Sequence, residues 1–324
     1  MASTFRTAFQ IERTFNWFPG HMARGLRDMT AKLQTVDLII ETRDARLPLS
    51  SINPQFEEFA QERNRLIVYN KTDLTTPGTP ARIRQALAGV TNSPVVFTNA
   101  KTPRTVRSVV SYAAGMPNVG KSALINALRS AGVGRGNAVT TGRRPGVTQR
   151  IHTSVKIHAD PPVYVLDTPG LMLPYVSDPL RALKVALTDG MNTEAMEIEI
   201  VADYLLYQLN RQHNTDYAKL INLEQPSDDI SEVLAQVAKR FGILQKGGGY
   251  HHEEAARRFV REFQLGKFGH LVLDDLDPAS VETFMADLKE PVLSKSMQLK
   301  EAKRERAQKM REKNAARKLK LRSG

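Results

Sequence analysis

The run GMPNVGKS, Gly115 to Ser122, sets two glycines five positions apart and follows the second with Lys-Ser. That spacing is the signature of a phosphate cradle. The loop Pro117, Asn118, Val119, Gly120, Lys121, Ser122 and Ala123 turns into a helix. The backbone N–H groups of residues 118 to 122 then lie unpaired in its first turn, aligned with the helix dipole, and attract anions. Lys121 adds a positive charge near the β and γ phosphates, and the Ser122 hydroxyl can bind magnesium. Further on, Asp167 in YVLDTPG stands at the end of an apolar run, where an acidic residue organises magnesium, through water. Gly170 can bring its N–H close to a γ-phosphate, because glycine permits near backbone approach. Thr148, after Pro145 and Gly146, offers a second hydroxyl to magnesium and a sensor of the γ-phosphate. The chemistry is phosphoryl transfer.

A base-reading element accompanies it. In NKTD, Asn70, Lys71, Thr72 and Asp73, the carboxylate can accept from both the N1–H and the 2-amino group of guanine, a pair that adenine lacks. Lys71 would lay its stem over the base, and Asn70 would tie the element to the phosphate loop. A second tetrapeptide, TNAK, brings Asn99 and the Ala100 N–H toward the guanine carbonyl. Both base-reading pieces precede the phosphate loop, whereas an ordinary GTPase carries the phosphate loop first.

Several elements must position these groups. RLIVYN (Arg65 to Asn70) and PVVFTNAK (Pro94 to Lys101) read as strands delivering their motifs at the carboxyl edge of an α/β sheet. ALINALRSAG after Ser122 places Ala123, Leu124, Ala127 and Leu128 on one helical face and stops at Gly132. The Gly/Arg-rich stretch Arg135 to His152 reads as a switch loop. Only residues 102 to 114 separate Lys101 from the phosphate loop, room for a strand or a short helix but hardly both. The expectation is a strand over Val106 to Gly115 with the helix lost and one sheet face partly uncovered.

The order NKTD, TNAK, GMPNVGKS, PGVT, DTPG, preceded by WFPGHMARG (Trp17 to Gly25) and DARLP (Asp44 to Pro48), resembles the circularly permuted GTPases of the YlqF/YawG type over roughly residues 15 to 270. The resemblance implies an α/β fold: a permuted P-loop GTPase domain with a parallel-rich sheet flanked by helices, then a small all-helical domain and a basic tail. It implies GTP and GDP as ligands with Mg2+, and K+ bound between phosphates by Asn118. It also implies that the protein helps a large ribosomal subunit mature by binding its rRNA. Leu171 follows the DTPG glycine where Ras-type enzymes keep a water-orienting glutamine. The resemblance gives that catalytic task to His21. A nucleotide-dependent RNA scaffold with negligible hydrolysis is the alternative.

Composition bounds the rest. No cysteine excludes disulfides, thiolate zinc and a cysteine nucleophile, and no apolar run nears the roughly 18 residues that cross a bilayer. Residues 1–14, with Arg6, Arg13, Phe5 and Phe9, read as a targeting peptide for mitochondrial import. The expected site is the matrix, with peripheral attachment to the inner membrane left open and the bacterial cytoplasm as the alternative. Residues 15–175 form the GTPase domain. Amphipathic stripes in Ala195 to Leu209, Ser227 to Gly242 and Glu253 to Phe263 make a helical RNA-binding domain over 176–272, with Arg257, Arg258 and Arg261 outward. Residues 273–324 read as an acidic linker and a basic tail. From Lys295 onward, twelve Lys or Arg face Glu301, Glu305 and Glu312, so nine of the net +12 charge lies there, a polyanion footprint. Met172 to Asp178 join the γ-phosphate segment directly to the helical domain, so switch movement is expected to reorient that domain.

Overall fold

The computed structural model describes residues 5–11, 36–54, 57, 63–102, 105, 112–115, 124, 126, 128–130, 155–158, 163–165, 178–190, 196–245 and 249–289. Four parallel strands form the central sheet: β1 (Ile39–Asp44), β2 (Arg65–Asn70), β3 (Val95–Phe97) and β4 (Tyr112–Gly115), in the order β3-β2-β1-β4. β5 (Val155–His158) and β6 (Val163–Val165) pair antiparallel beside β4. The strands that carry the base-reading motifs thus precede the phosphate-loop strand in the chain, yet lie beyond β1 from it in the same sheet.

Side chains alternate across a strand, and the two faces are covered separately. Ile40 and Val68 point to one face, where Leu124 and Leu128, both helical, meet Val155 and Val165. Ile67 and Tyr69 point to the other, under Ile83 and Leu87 of α1 (Thr79–Leu87). The helical layer follows: α2 (Pro179–Leu187), α3 (Ile198–Arg211), α4 (Asp216–Ile221), α5 (Ile230–Phe241) and α6 (His252–Gln264). The expected stripes are its core. Val201, Leu205 and Leu209 of α3 are buried against Val233 and Val237 of α5 and Phe259 and Phe263 of α6. Burial of each such side chain contributes about 1.5–3 kcal/mol. α5 starts where the Asp229 carboxylate accepts from Ser231 N–H at 2.8 Å and stops at Gly242, left-handed at φ 67°.

Three expectations change. Among the described residues, the strand ahead of the phosphate loop is Tyr112–Gly115, and Thr105 is helical. The described residues of β4 pair with Ile39 to Thr42 of β1. The supposed linker after residue 272 is part of the body. Leu273 is buried, and α7 (Pro278–Lys289) returns Val281, Phe284, Met285 and Leu288 to the sheet face under α1. Over β2 and β3 that face is therefore covered. Residues 5–11, inside the expected targeting peptide, are packed too. The Arg6 guanidinium grips Asp203 at 2.7 and 3.1 Å and Asp228 at 3.1 Å, and the Phe9 ring meets Tyr204 edge-on at 5.1 Å. As expected, Arg257 and Arg258 lie outward, and each has an acidic partner within α6. Arg257 pairs with Glu253 at 2.5 Å, and Arg258 pairs with Glu262 at 2.7 Å while lying 4.1 Å over Phe241.

Candidate guanine-nucleotide site

Parallel strands present their carboxyl ends on one edge, where α/β sheets bind ligands. Asp44 ends β1 in register with Asn70 at the end of β2, and Gly115, the first glycine of the phosphate loop, pairs with Thr42 of β1. The two motif-bearing strands are two ladder steps apart, about 10 Å. Beyond Asn70 the chain turns sharply. Lys71 is left-handed at φ 62°, and Thr72–Leu74 form one 3-10 turn that leaves Asp73 exposed. Lys101 sits 3.8 Å from the Asp73 carboxylate.

The Asn70 side chain joins the two base-reading loops. Its Oδ1 accepts from Ala100 N–H at 3.0 Å and from the Thr98 hydroxyl at 3.3 Å. This changes one expected role. The Ala100 N–H, expected at the guanine carbonyl, is directed at Asn70. Asn99 is a turn former, its Oδ1 accepting from Lys101 N–H at 2.9 Å. The Thr72 hydroxyl donates to Thr98 O at 3.0 Å.

Beneath the turn lies a charge cluster absent from the sequence-based site. Lys71 Nζ is 2.9 Å from Asp44 Oδ2. Arg46 binds the same carboxylate through Nε at 3.0 Å, Nη2 at 2.8 Å and its own N–H at 3.0 Å. Burial alone would raise the Asp44 carboxyl, but Arg46 and Lys71 hold it well below the usual carboxylate range. Burial likewise pulls the Lys71 ammonium below its ordinary value, against the attraction of Asp44. The Asp and Arg of DARLP therefore seat the lysine of NKTD. Their adjacency in the sequence was visible, but the partner 25 or more positions away was not.

Of the sequence-predicted site residues, Asn70, Lys71, Thr72, Asp73, Asn99 and Ala100 come together here. His21, Pro117, Asn118, Val119, Gly120, Lys121, Ser122, Ala123, Thr148, Asp167 and Gly170 lie outside the described residues.

A family model described as 50S ribosome-binding GTPase matches residues 111–241. Mitochondrial GTPase 1 of Aedes aegypti is 33% identical over 315 residues, spanning 85% of this chain and 99% of its own. Mitochondrial ribosome-associated GTPase 1 of Bos taurus is 35% identical over 307 residues, spanning 84% of this chain and 92% of its own. The chain belongs to the YlqF/YawG family of circularly permuted GTPases. Ribosome biogenesis GTPase A of Priestia megaterium is another similar protein, 31% identical over 290 residues, spanning 81% of this chain and 97% of its own. The GNP-bound YlqF structure from T. maritima shares the fold, with a TM-score of 0.56 at 23% identity over 78% of this chain and 99% of that one. This permuted GTPase thus binds guanine nucleotide and hydrolyses GTP.

Proposed function

We propose that this permuted GTPase acts in ribosome assembly in mitochondria, binding rRNA of the large subunit in its GTP state and leaving after hydrolysis. Relatives named for mitochondria, for ribosome association and for ribosome biogenesis support the role. The observation that carries the reading is the shared edge: the Asn70 end of β2 and the Gly115 end of β4 flank Asp44, so the strand ends that lead into the two motifs lie on one side of one sheet.

In this reading Asp73 reads the guanine edge, while Asn70, Thr72, Asn99 and Ala100 hold the two base loops together. Lys71 lies against the base, and the segment Pro117 to Ala123 cradles the phosphates, with Lys121 beside them. Ser122, Thr148 and Asp167 offer hard oxygen donors, the set magnesium takes, and Asn118 offers a side-chain carbonyl to potassium. Bound there, the cations neutralise charge on the β and γ phosphates. Gly170 contacts the γ-phosphate, and His21 accepts a hydrogen bond from the attacking water in place of the glutamine that Leu171 replaces. The site of action is the matrix, including its inner-membrane face. No helix of the described residues is long and apolar enough to cross a membrane.

The test is GTP turnover with purified mitochondrial large subunits, in potassium and in sodium buffer. The expected result is slow intrinsic turnover that rises with subunits and potassium. Turnover that stays negligible with subunits present would instead favour a nucleotide-dependent RNA scaffold.

A further inference from the structure

The helical layer touches the nucleotide domain at the base-reading turn itself. Leu271 N–H donates to Leu74 O at 3.0 Å, closing on the 3-10 turn that carries Asp73. Leu273 N–H donates to Arg46 O at 2.9 Å, and the Arg46 guanidinium lies 5.2 Å over the Phe263 ring of α6. Gly266, left-handed at φ +76°, lies so close to Leu74 that a Cβ there would meet Leu74 Cδ2 at 2.5 Å. The turn that ends α6 therefore holds Leu74 from one side, while Asp44, gripped by Arg46, holds Lys71 from the other. A second fastening stands next to the first. The buried Asp274 carboxylate accepts from Leu49 N–H at 2.9 Å, Ser50 N–H at 2.7 Å, Ser50 Oγ at 2.6 Å and Lys184 Nζ at 3.1 Å.

We infer that the helical domain forms part of the guanine-specificity apparatus: Arg46 and Gly266 are positioning residues that set the 3-10 turn so that the Asp73 carboxylate faces the N1–H and 2-amino groups of the base. The inference rests on the assignment of Asp73 as the base-reading residue. Its physical basis is reach. Asp73 is the exposed residue of a three-residue turn, and Lys71 just before the turn and Leu74 at its end are both held by groups that belong to, or are clamped by, the helical layer. A carboxylate held in place discriminates bases better than one free to swing, because a missing partner then leaves it unpaired. By reciprocity, a base that fixes the turn must also strengthen the attachment of the helical layer.

The experiment compares GDP with IDP, which lacks only the 2-amino group, on the full chain. Loss of one charge-assisted hydrogen bond predicts that wild type prefers GDP by roughly 10- to 150-fold. In Arg46→Lys and in Gly266→Ala, that ratio should fall by about fivefold or more, the lower range of ordinary coupling between sites. IDP affinity, which reports the phosphate end and overall folding, should change less than GDP affinity. A wild-type ratio in both variants overturns the inference. Hydrogen exchange on the unmodified chain decides it if neither variant folds: GDP should slow exchange at the Leu271 and Leu273 amides, and unchanged rates there overturn it. Asp73→Ala separates the two levels. If wild type shows no GDP preference, or Asp73→Ala keeps it, the base-reading assignment falls and the inference with it. If Asp73→Ala loses the preference but the joint variants retain it, the joint alone is refuted.

Discussion

Two buried aspartates set the stability of the joint between sheet and helices. Asp44 accepts from Arg46 and Lys71, and Asp274 gathers Ser50, the Leu49 N–H and Lys184. For Asp274, burial raises the carboxyl, but Lys184 and the Ser50 and Leu49 donors hold it below its ordinary value of 3.8. Both groups are thus depressed in the folded state. Their contribution is complete above the ordinary value and is lost as pH falls through the folded ones. The melting temperature should therefore drop on acidification below about pH 4, and Asp274→Asn, which has no proton to gain, should show a shallower drop in a thermal series from about pH 7 to about pH 3. An equal slope in wild type and variant would mean that other carboxylates govern acid unfolding. At neutral pH, Asp274→Ala strands Lys184 and three donors, a loss of about 3–5 kcal/mol that chemical denaturation would read.

At the scale of elements, the N-terminal segment makes the most direct prediction. Arg6 reaches two carboxylates, Asp203 on α3 and Asp228 ahead of α5, and Phe9 fills the space between Tyr204 and Tyr207. The pairs are only partly buried, so solvent screening trims them. Arg6→Ala should cost about 1–2 kcal/mol, and deletion through Ile11 should cost more, because Phe9 leaves too. Calorimetry would check both, and a deletion that melts with wild type would show that the segment adds nothing to the fold. The motif strands β2 and β3 were legible because they are short apolar runs that end in recognisable turns. β1 was not. Its sequence, IIETRD, is fully buried although Glu41 and Arg43 interrupt it, since Arg43 pairs with Glu41 at 2.6 Å and Glu57 at 2.5 Å while Arg65 reaches the same two carboxylates. Charge balance of that kind comes from chain segments far apart and leaves no periodicity. α7 did leave a signal, Val281, Phe284, Met285 and Leu288 at helical spacing, hidden behind the acidic run that precedes it. The site divides in the same way: Asp73 is readable from its motif, whereas the seating of Lys71 by Asp44 and Arg46 exists only in three dimensions.

For the whole molecule, permutation places the helical layer after the phosphate-sensing segment in the chain, but its described bonds are to the base-reading side, at Leu74, Arg46 and Ser50. A helical domain swung by the linker Met172 to Asp178 has to break those bonds, so movement on hydrolysis is expected at the phosphate edge rather than at the base. Arg257 and Arg258 stay exposed, and their acidic partners within α6 are weak surface pairs, so α6 and the basic tail both offer charge to a polyanion. Truncation at Lys295 should weaken rRNA binding and reduce the slope of log affinity against log salt by about 0.7 to 0.9 for each phosphate that the tail no longer neutralises. An unchanged slope would make the tail a solvated appendage. The central claim is that chain segments rearranged in order rebuild one guanine site read by Asp73. The most direct measurement is nucleotide specificity of Asp73→Asn against wild type, with GTP, XTP and ATP as ligands. Wild type should take GTP and refuse ATP, and the variant should lose GTP and gain XTP, whose 2-oxo group suits an amide donor. Equal binding of ATP and GTP by wild type, or a variant that still prefers GTP, would contradict the claim.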